Sequence, residues 1–382
     1  EVAAVTKPGL SSYDANIDDF ERGMSEKRIS DVFSVLKTEL NPFIKKILTS
    51  EKKKKYVPPA ALKGGPEWAV EKQKALCIEI ATKMGFDFNK GRFDISLHPF
   101  TGGAHPTDVR ITTRYSEKNW KEGVAGTVHE TGHALYEQGR NPDYEDLPVS
   151  RALSMGVHES QSLFWERMIF QSYDFWVWAT PIVHKHFPHT KEVTPEQFYE
   201  FVNQVQPGLI RVEADEITYP LHIILRFEME KMLMDDKNEV DFDKLPLLWR
   251  EEMKKGLGVQ VENDKNGILQ DVHWSFGAFG YFPSYTLGAI IAVQLYETAL
   301  TKIPNLKEKI QKGEFQEIRE FLRENIHSVG SLYESPDELL TKVYIFVAFF
   351  FFFLYYVLFE LLYFFSILVA FLCPLFFLFF IK

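Results

Sequence analysis

The sequence predicts a mainly α fold with one small β-sheet, and three observations point to it. Apolar residues recur at helical spacing over most of the 382 residues. Two short alternating runs, around residues 93–97 and 109–113, break that period. A His-Glu-x-x-His helix follows the second run. The composition is that of a globular chain, with 46% hydrophobic and 25% charged residues. A net charge of −10 excludes a general nucleic-acid surface. Cys77 and Cys373 stand far apart and form neither a disulfide framework nor a metal-ligand pair, which fits a reducing, intracellular setting. The chain opens on Glu1 with no secretory leader pattern, as a fragment or a processed product would.

Taken in order, an acidic stretch from Tyr13 to Gly23 leads into a helix over Ser25–Lys46. Its apolar face is Ile29, Val32, Phe33, Leu36 and Leu40. Glu51–Lys55 reads as a solvated charged linker, and Gly64-Gly65-Pro66 as a break. Val70, Leu76, Ile78 and Ile80 carry a second helix over Glu67–Met84. Phe93, Ile95 and Leu97 then alternate, as do Val109, Ile111 and Thr113. These two strands are separated by the turn-rich His98–Gly103. An edge of such a sheet beside the His-Glu-x-x-His helix could pair with an extended peptide, or be structural only. Helices follow over Leu153–Phe175, Pro195–Val205, Leu221–Met234, Leu245–Gly256, Ile290–Leu300 and Ile318–Ile326. Gly267–Leu287 is different, being rich in glycine and aromatics, with Asp271, His273, Tyr281 and Tyr285. Its composition suits a site lining or a tightly packed loop.

The sequence divides into 1–343 and an apolar tail, 344–382. The tail holds 14 of the 34 phenylalanines and only two charges, Glu360 and Lys382. Residues 361–381 are long enough to span a membrane, so the tail is a candidate transmembrane anchor. A translated non-coding stretch would have the same T-rich-codon composition.

The chemistry concentrates in Thr127–Gly139. Residues four apart on a helix lie roughly 5–6 Å apart at Cβ, so His129 and His133 can aim at one cation, as zinc requires. Glu130 projects beside them as a general base. Thr127 and Glu130 have capping-box spacing, which predicts a helix start at Thr127. Gly132 within the helix leaves room for a close approach. The His-x-x-Gly-x-x-His extension fails, since Tyr136 and Gly139 occupy its places. A third ligand must come from elsewhere. Glu159 lies 26 residues after His133 and is preferred, with His158 as its rival.

Six stretches together resemble the carboxypeptidase Taq family of zinc metallocarboxypeptidases. They are His98-Pro99-Phe100, Asp108–Thr112, His129–His133, His158-Glu159-Ser160-Gln161, Ile210–Asp215 and Gly267–Trp274, in that order and spacing. The resemblance runs from about Tyr13 to Lys342. It implies a mainly α, zincin-like metallopeptidase fold with a small β-sheet next to the His-Glu-x-x-His helix, assembled as a saddle-like homodimer with a deep groove. It also implies one Zn2+ per chain, with Co2+ or Mn2+ possible, held by His129, His133 and Glu159, with Glu130 as general acid/base. The implied activity is removal of single residues from peptides with a free C-terminus, with broad specificity, in the cytoplasm. The chain departs from the family in lacking its further N-terminal helical segment and in the Phe-rich tail, which gives a membrane location only if that tail is genuine. For the oxyanion, His273 and Tyr281 are the candidate donors. For the substrate carboxylate, Arg211 and then Arg110 offer a bidentate fork, each set against a structural ion pair. Asp215 and Asp271 are candidates to orient a ligand histidine. Two other functions stand as alternatives: an oligopeptide endopeptidase of the same metal chemistry, and an inactive membrane-tethered interaction protein.

Overall fold

The computed structural model describes residues 2–235, 237 and 239–343. The chain divides into Glu1–Leu339 and Leu340–Lys382, and every element below lies in the first. The tail with its candidate span lies outside the described residues. Among those described, no helix is long and apolar enough to cross a membrane.

After a five-residue helix over Val2–Thr6 come helices α1 (Ser12–Phe20), α2 (Glu26–Thr49) and α3 (Val70–Met84). Ser25 caps α2 by accepting the Arg28 N–H, and Ile29, Phe33, Leu40 and Ile44 form its buried face. Glu51–Lys55 is a helical turn rather than a linker. Ser50 caps it, and Glu51 pairs with Lys54 and Lys55 at helical spacing. The expected helix over Glu67–Met84 starts only at Val70, because Pro66–Trp68 makes its own tight turn and Ala69 is extended. That turn buries Trp68, whose ring stacks on Trp120 at 4.4 Å.

The sheet has three strands, not two: β1 (Gly91–Ile95), β2 (Thr101–His105) and β3 (Asp108–Thr113), in the order β1-β3-β2. β1 runs parallel to β3, and β2 antiparallel to it. β2 carries Thr-Gly-Gly-Ala-His and has no apolar alternation to give it away. Leu97 lies past the end of β1 and is exposed. β2 has a strand on one side only.

Helix α4 (Trp120–Gln138) begins seven residues before the expected start. Thr127 is not its cap. It is buried in the helix interior, with its hydroxyl donating to the Gly123 carbonyl at 2.7 Å. Trp120, Val124 and Val128 are buried along the same helix, and their burial carries it back past the capping-box signal. Helix α5 (Met155–Leu163) follows, capped by Ser154, and passes into a π-helical turn over Phe164–Phe170. The single helix expected over Leu153–Phe175 is therefore split, and a separate helix α6 (Tyr173–His186) succeeds it. Then come α7 (Pro195–Val202), α8 (Tyr219–Met234), α9 (Leu245–Leu257), α10 (Pro283–Lys302) and α11 (Gln316–Leu322). Up to Phe282 the glycine-aromatic segment is irregular apart from a 3-10 turn over Trp274–Phe276, and Pro283 then opens α10.

Three helices cross at close range around α5. A Cβ added at Gly132 on α4 would lie 2.6 Å from the Gln161 carbonyl oxygen and 2.7 Å from Ser162 Cα. One added at Gly288 on α10 would lie 2.8 Å from Glu159 Cβ. Alanine favours an isolated helix over glycine by about 1 kcal/mol, but overpacking against a backbone costs about 1–3 kcal/mol. Gly132→Ala is expected to lower stability by about 1–2 kcal/mol in chemical denaturation.

A buried carboxylate ties the glycine-aromatic segment down. Glu230 on α8 accepts hydrogen bonds from Tyr13 Oη (2.8 Å), Trp274 Nε1 (2.7 Å) and the Gly280 N–H (3.0 Å). Burial outweighs those donors and raises Glu230 from 4.5 to about 7. Between those values the folded state holds a proton that the unfolded chain has released, so stability falls as pH climbs from about 4.5 to 7. Glu230→Gln should flatten that part of the stability profile, measured by urea unfolding at stepped pH.

Candidate metal centre

The first pair of candidate ligands comes from α4. His129 and His133 stand one turn apart with ring centroids 5.0 Å apart. Glu159 comes from α5, brought in by the close crossing at Gly132 and Gly288. Its Oε2 lies 3.2 Å from His133 Nε2 and 3.7 Å from His129 Nε2. The three donor atoms all lie within 4.8 Å of one another. Zinc with ligands at about 2.0–2.2 Å in a tetrahedron has them about 3.4 Å apart, so the donor set fits such an ion.

The far side of each ring is already engaged. His129 Nδ1 meets Glu166 Oε2 at 2.7 Å, which leaves Nε2 facing Glu159. His133 Nδ1 meets His158 Nδ1 at 2.7 Å. His158 Nε2 meets Glu137 at 2.9 Å, and Arg140 donates to Glu137 at 2.7 Å. His158, the rival ligand, therefore stands behind His133 and not beside Glu159. Such outer partners fix the tautomer and orientation of ligand histidines. Asp215 and Asp271 do not take that part. Asp215 caps its own turn by accepting from Ile217, Thr218 and Gln206. Asp271 serves Arg211 and Arg226. Glu166 went unmarked in the sequence reading. Its one signal is its place seven residues after Glu159, two helical turns on.

The electrostatics favour a cation. Burial resists a charge on His129, but Glu159 and Glu166 outweigh it and push the imidazole up to about 10. Burial raises Glu159, yet His129 and His133 hold it down at about 2. Burial keeps His133 below its ordinary value, in the neutral form a ligand needs.

Glu130 is buried between α4 and the sheet. Thr101 on β2 donates to Glu130 Oε2 at 2.6 Å and to its carbonyl at 2.9 Å. The edge strand thus begins at this carboxylate.

A second charged group lies in the same helical body. Arg211 is 4% exposed and donates from Nε and Nη2 to Asp271, both at 2.8 Å. Arg226, fully buried, bonds the other oxygen of Asp271. The Arg211 guanidinium lies 4.7 Å from the Tyr285 ring centre. His273 Nε2 meets Tyr285 Oη at 3.0 Å, and its buried Nδ1 has no partner. Burial, with Arg211 and Arg226, pushes His273 down to about 4, so it is neutral. Tyr281 packs 5.2 Å from His273 and 5.3 Å from Tyr285, between ring centres. Burial, Tyr285 and the Glu159 charge hold the Tyr281 hydroxyl protonated. Arg110 is elsewhere. It is exposed on β3 in a bidentate pair with Asp108, so the structure does not bring it to the cluster.

Fold and site have the arrangement of a helical metallopeptidase family built on His-Glu-x-x-His plus glutamate. Comparison with known proteins gives the same result: the family described as "Carboxypeptidase Taq (M32) metallopeptidase" matches residues 1–348, and the chain belongs to it. It is 40% identical over 331 residues to thermostable carboxypeptidase 1 of Pyrococcus furiosus, covering 86% of this chain and 65% of that one. It is also 40% identical over 321 residues to carboxypeptidase 1 of Bacillus subtilis, covering 83% and 62%. Among solved structures, Trypanosoma cruzi metallocarboxypeptidase 1 superposes with a TM-score of 0.84 at 39% identity, covering 90% of this chain and 70% of that one. The chain thus spans a little under two thirds of the length of these curated relatives.

Removing a ligand and removing its support should differ. Glu159→Ala is expected to abolish stoichiometric metal binding. Glu166→Gln and His158→Ala should weaken it by about 10–100-fold. Competition with a chelating dye checks both.

Proposed function

We propose that this chain is a metal-dependent carboxypeptidase that uses zinc, with cobalt or manganese able to replace it, and cleaves the C-terminal peptide bond of peptides. The observation that carries the reading is the convergence of His129, His133 and Glu159 beside Glu130. Zinc held by those three would polarise the scissile carbonyl and lower the pKa of a water toward about 7. Glu130 takes the proton of the attacking water and returns it to the leaving amine. Thr101 holds Oε2 of that carboxylate and leaves Oε1 for the proton. Neutral His273 and protonated Tyr281 are suited to donate to the carbonyl oxygen as charge develops there.

The exopeptidase part rests on charge. Arg211 and Arg226 share one carboxylate, Asp271, and their histidine neighbours His222 and His273 are kept neutral by burial. One positive charge is left over in a buried place. The Glu159 charge reaches Tyr219 and Tyr285, which line it. A substrate's terminal carboxylate is the natural counter-ion, approached through Arg211 Nη1, the guanidinium nitrogen that Asp271 does not hold. Arg110 is dropped from this role. Assembly as a homodimer and a cytoplasmic setting belong to the same proposal and rest on family membership.

Glu130→Gln should keep metal and lose about 10²–10⁴ in kcat. Peptides with a free C-terminus should be trimmed stepwise, and their C-terminal amides at least about 100-fold more slowly. Mass spectrometry of the digest reads both. Equal cleavage of acid and amide would favour the endopeptidase alternative.

A further inference from the structure

The catalytic reading uses only the first residue of β2. The strand runs from Thr101, which touches Glu130, to His105. His105 lines a cleft of about 410 Å3 that also takes in Lys90, Arg140, Arg151 and Arg323. Some of its charges are spent. Arg140 is held by Glu137 and Ser150, and His105 bonds Glu145. Lys90, Arg151 and Arg323 are exposed and form no ion pair among the described residues. Against these three cations stand two carboxylates of the lining, Asp146 and the Glu145 that His105 bonds. The cleft carries surplus positive charge in a protein whose net charge is −10.

Geometry links this cleft to the reacting bond. β2 is an edge strand, so an extended peptide can add along its open side. Laid antiparallel, the peptide runs from His105 toward Thr101. Its C-terminal end then lies at Glu130 and its N-terminal part at the cleft. Four strand steps of about 3.3 Å cover about 13 Å. Given the carboxypeptidase reading, on which this inference rests, we propose that the cleft is a subsite for acidic side chains of the peptide substrate. Those side chains lie roughly three to five residues before the scissile bond. Neighbouring residues of an extended chain point to opposite faces, so an acidic pair always presents one carboxylate to the cleft.

The test uses two peptides of about eight residues with the same C-terminal end, carrying Glu-Glu or Gln-Gln at the fourth and fifth positions before the scissile bond. With solvated cations, the Glu-Glu peptide is expected to have a kcat/KM about threefold to tenfold higher at low salt. Most of that lies in KM. The ratio should fall toward one at about 0.5 M salt, and also in the double variant Lys90→Ala, Arg323→Ala. A wild-type ratio near one at low salt overturns the proposal, as does a ratio that survives in the variant. A blocked dipeptide too short to reach the cleft tests the parent reading separately. If the metal-loaded protein leaves it uncut, that reading fails. Anisotropy of the two labelled octapeptides then still decides the subsite: tighter, salt-sensitive binding of the Glu-Glu peptide supports it, and equal binding refutes it.

Discussion

The structure depends on how closely α5 can approach α4 and α10. Two side chains on one helix cannot enclose a cation, and the third donor has to be pressed against them from another element. Gly132 and Gly288 permit that, because neither position has room for a Cβ. The approach sets Glu159 Oε2 at 3.2 Å and 3.7 Å from the two imidazoles. Gly132 is a poor helix former by propensity, and its cost to α4 is the cost of the third ligand.

Around that crossing the body separates charge into two buried places of opposite sign. On the metal side, Glu159, Glu166 and Glu130 surround two histidines, and the field is right for a cation. Beyond the tyrosines, Arg211 and Arg226 share Asp271, and the field is right for an anion. Buried charges are tolerated only when paired and hydrogen-bonded. The first place has the charge a metal ion would meet, and the second the charge a carboxylate would meet. Burial, with the arginines beside them, keeps His273 and His222 neutral, whereas the carboxylates around His129 outweigh its burial.

Much of this was legible in the sequence where one residue type has one chemical meaning. His129, Glu130 and His133 declare themselves by spacing, and Glu159 by elimination and by its motif. The helices with one clean apolar face, such as α2, were readable to within a few residues. What stayed hidden depends on tertiary contacts. β2 has two glycines and no alternation, so its strand character comes from pairing with β3 and cannot be read from its own residues. The early start of α4 reflects burial of Trp120 and Val124, which overrides a local capping signal. The split of α5 at the π-helical turn places Glu166 against His129, and periodicity alone carries no sign of that turn. The sequence ranks Arg211 ahead of Arg110 but offers both; burial against Asp271 separates the first from the second, which lies exposed on a strand.

The first helix, distant in sequence from any of this chemistry, also belongs to the site. Glu21, at the end of α1, is buried and accepts the Gly156 N–H in the first turn of α5. It therefore sits where the start of α5 presents unsatisfied donors. Tyr13, on the same helix, donates to Glu230, which also holds Trp274 and Gly280. One short helix thus fixes the base of the helix that bears Glu159 and the segment that bears His273 and Tyr281. Gly280 lets the segment pass this closely: its backbone has φ +83°, and a Cβ there would meet the backbone nitrogen of Ile17 at 2.7 Å. Helix α1 and the Glu21 that ends it thus touch both the candidate ligand helix and the segment of the candidate donors.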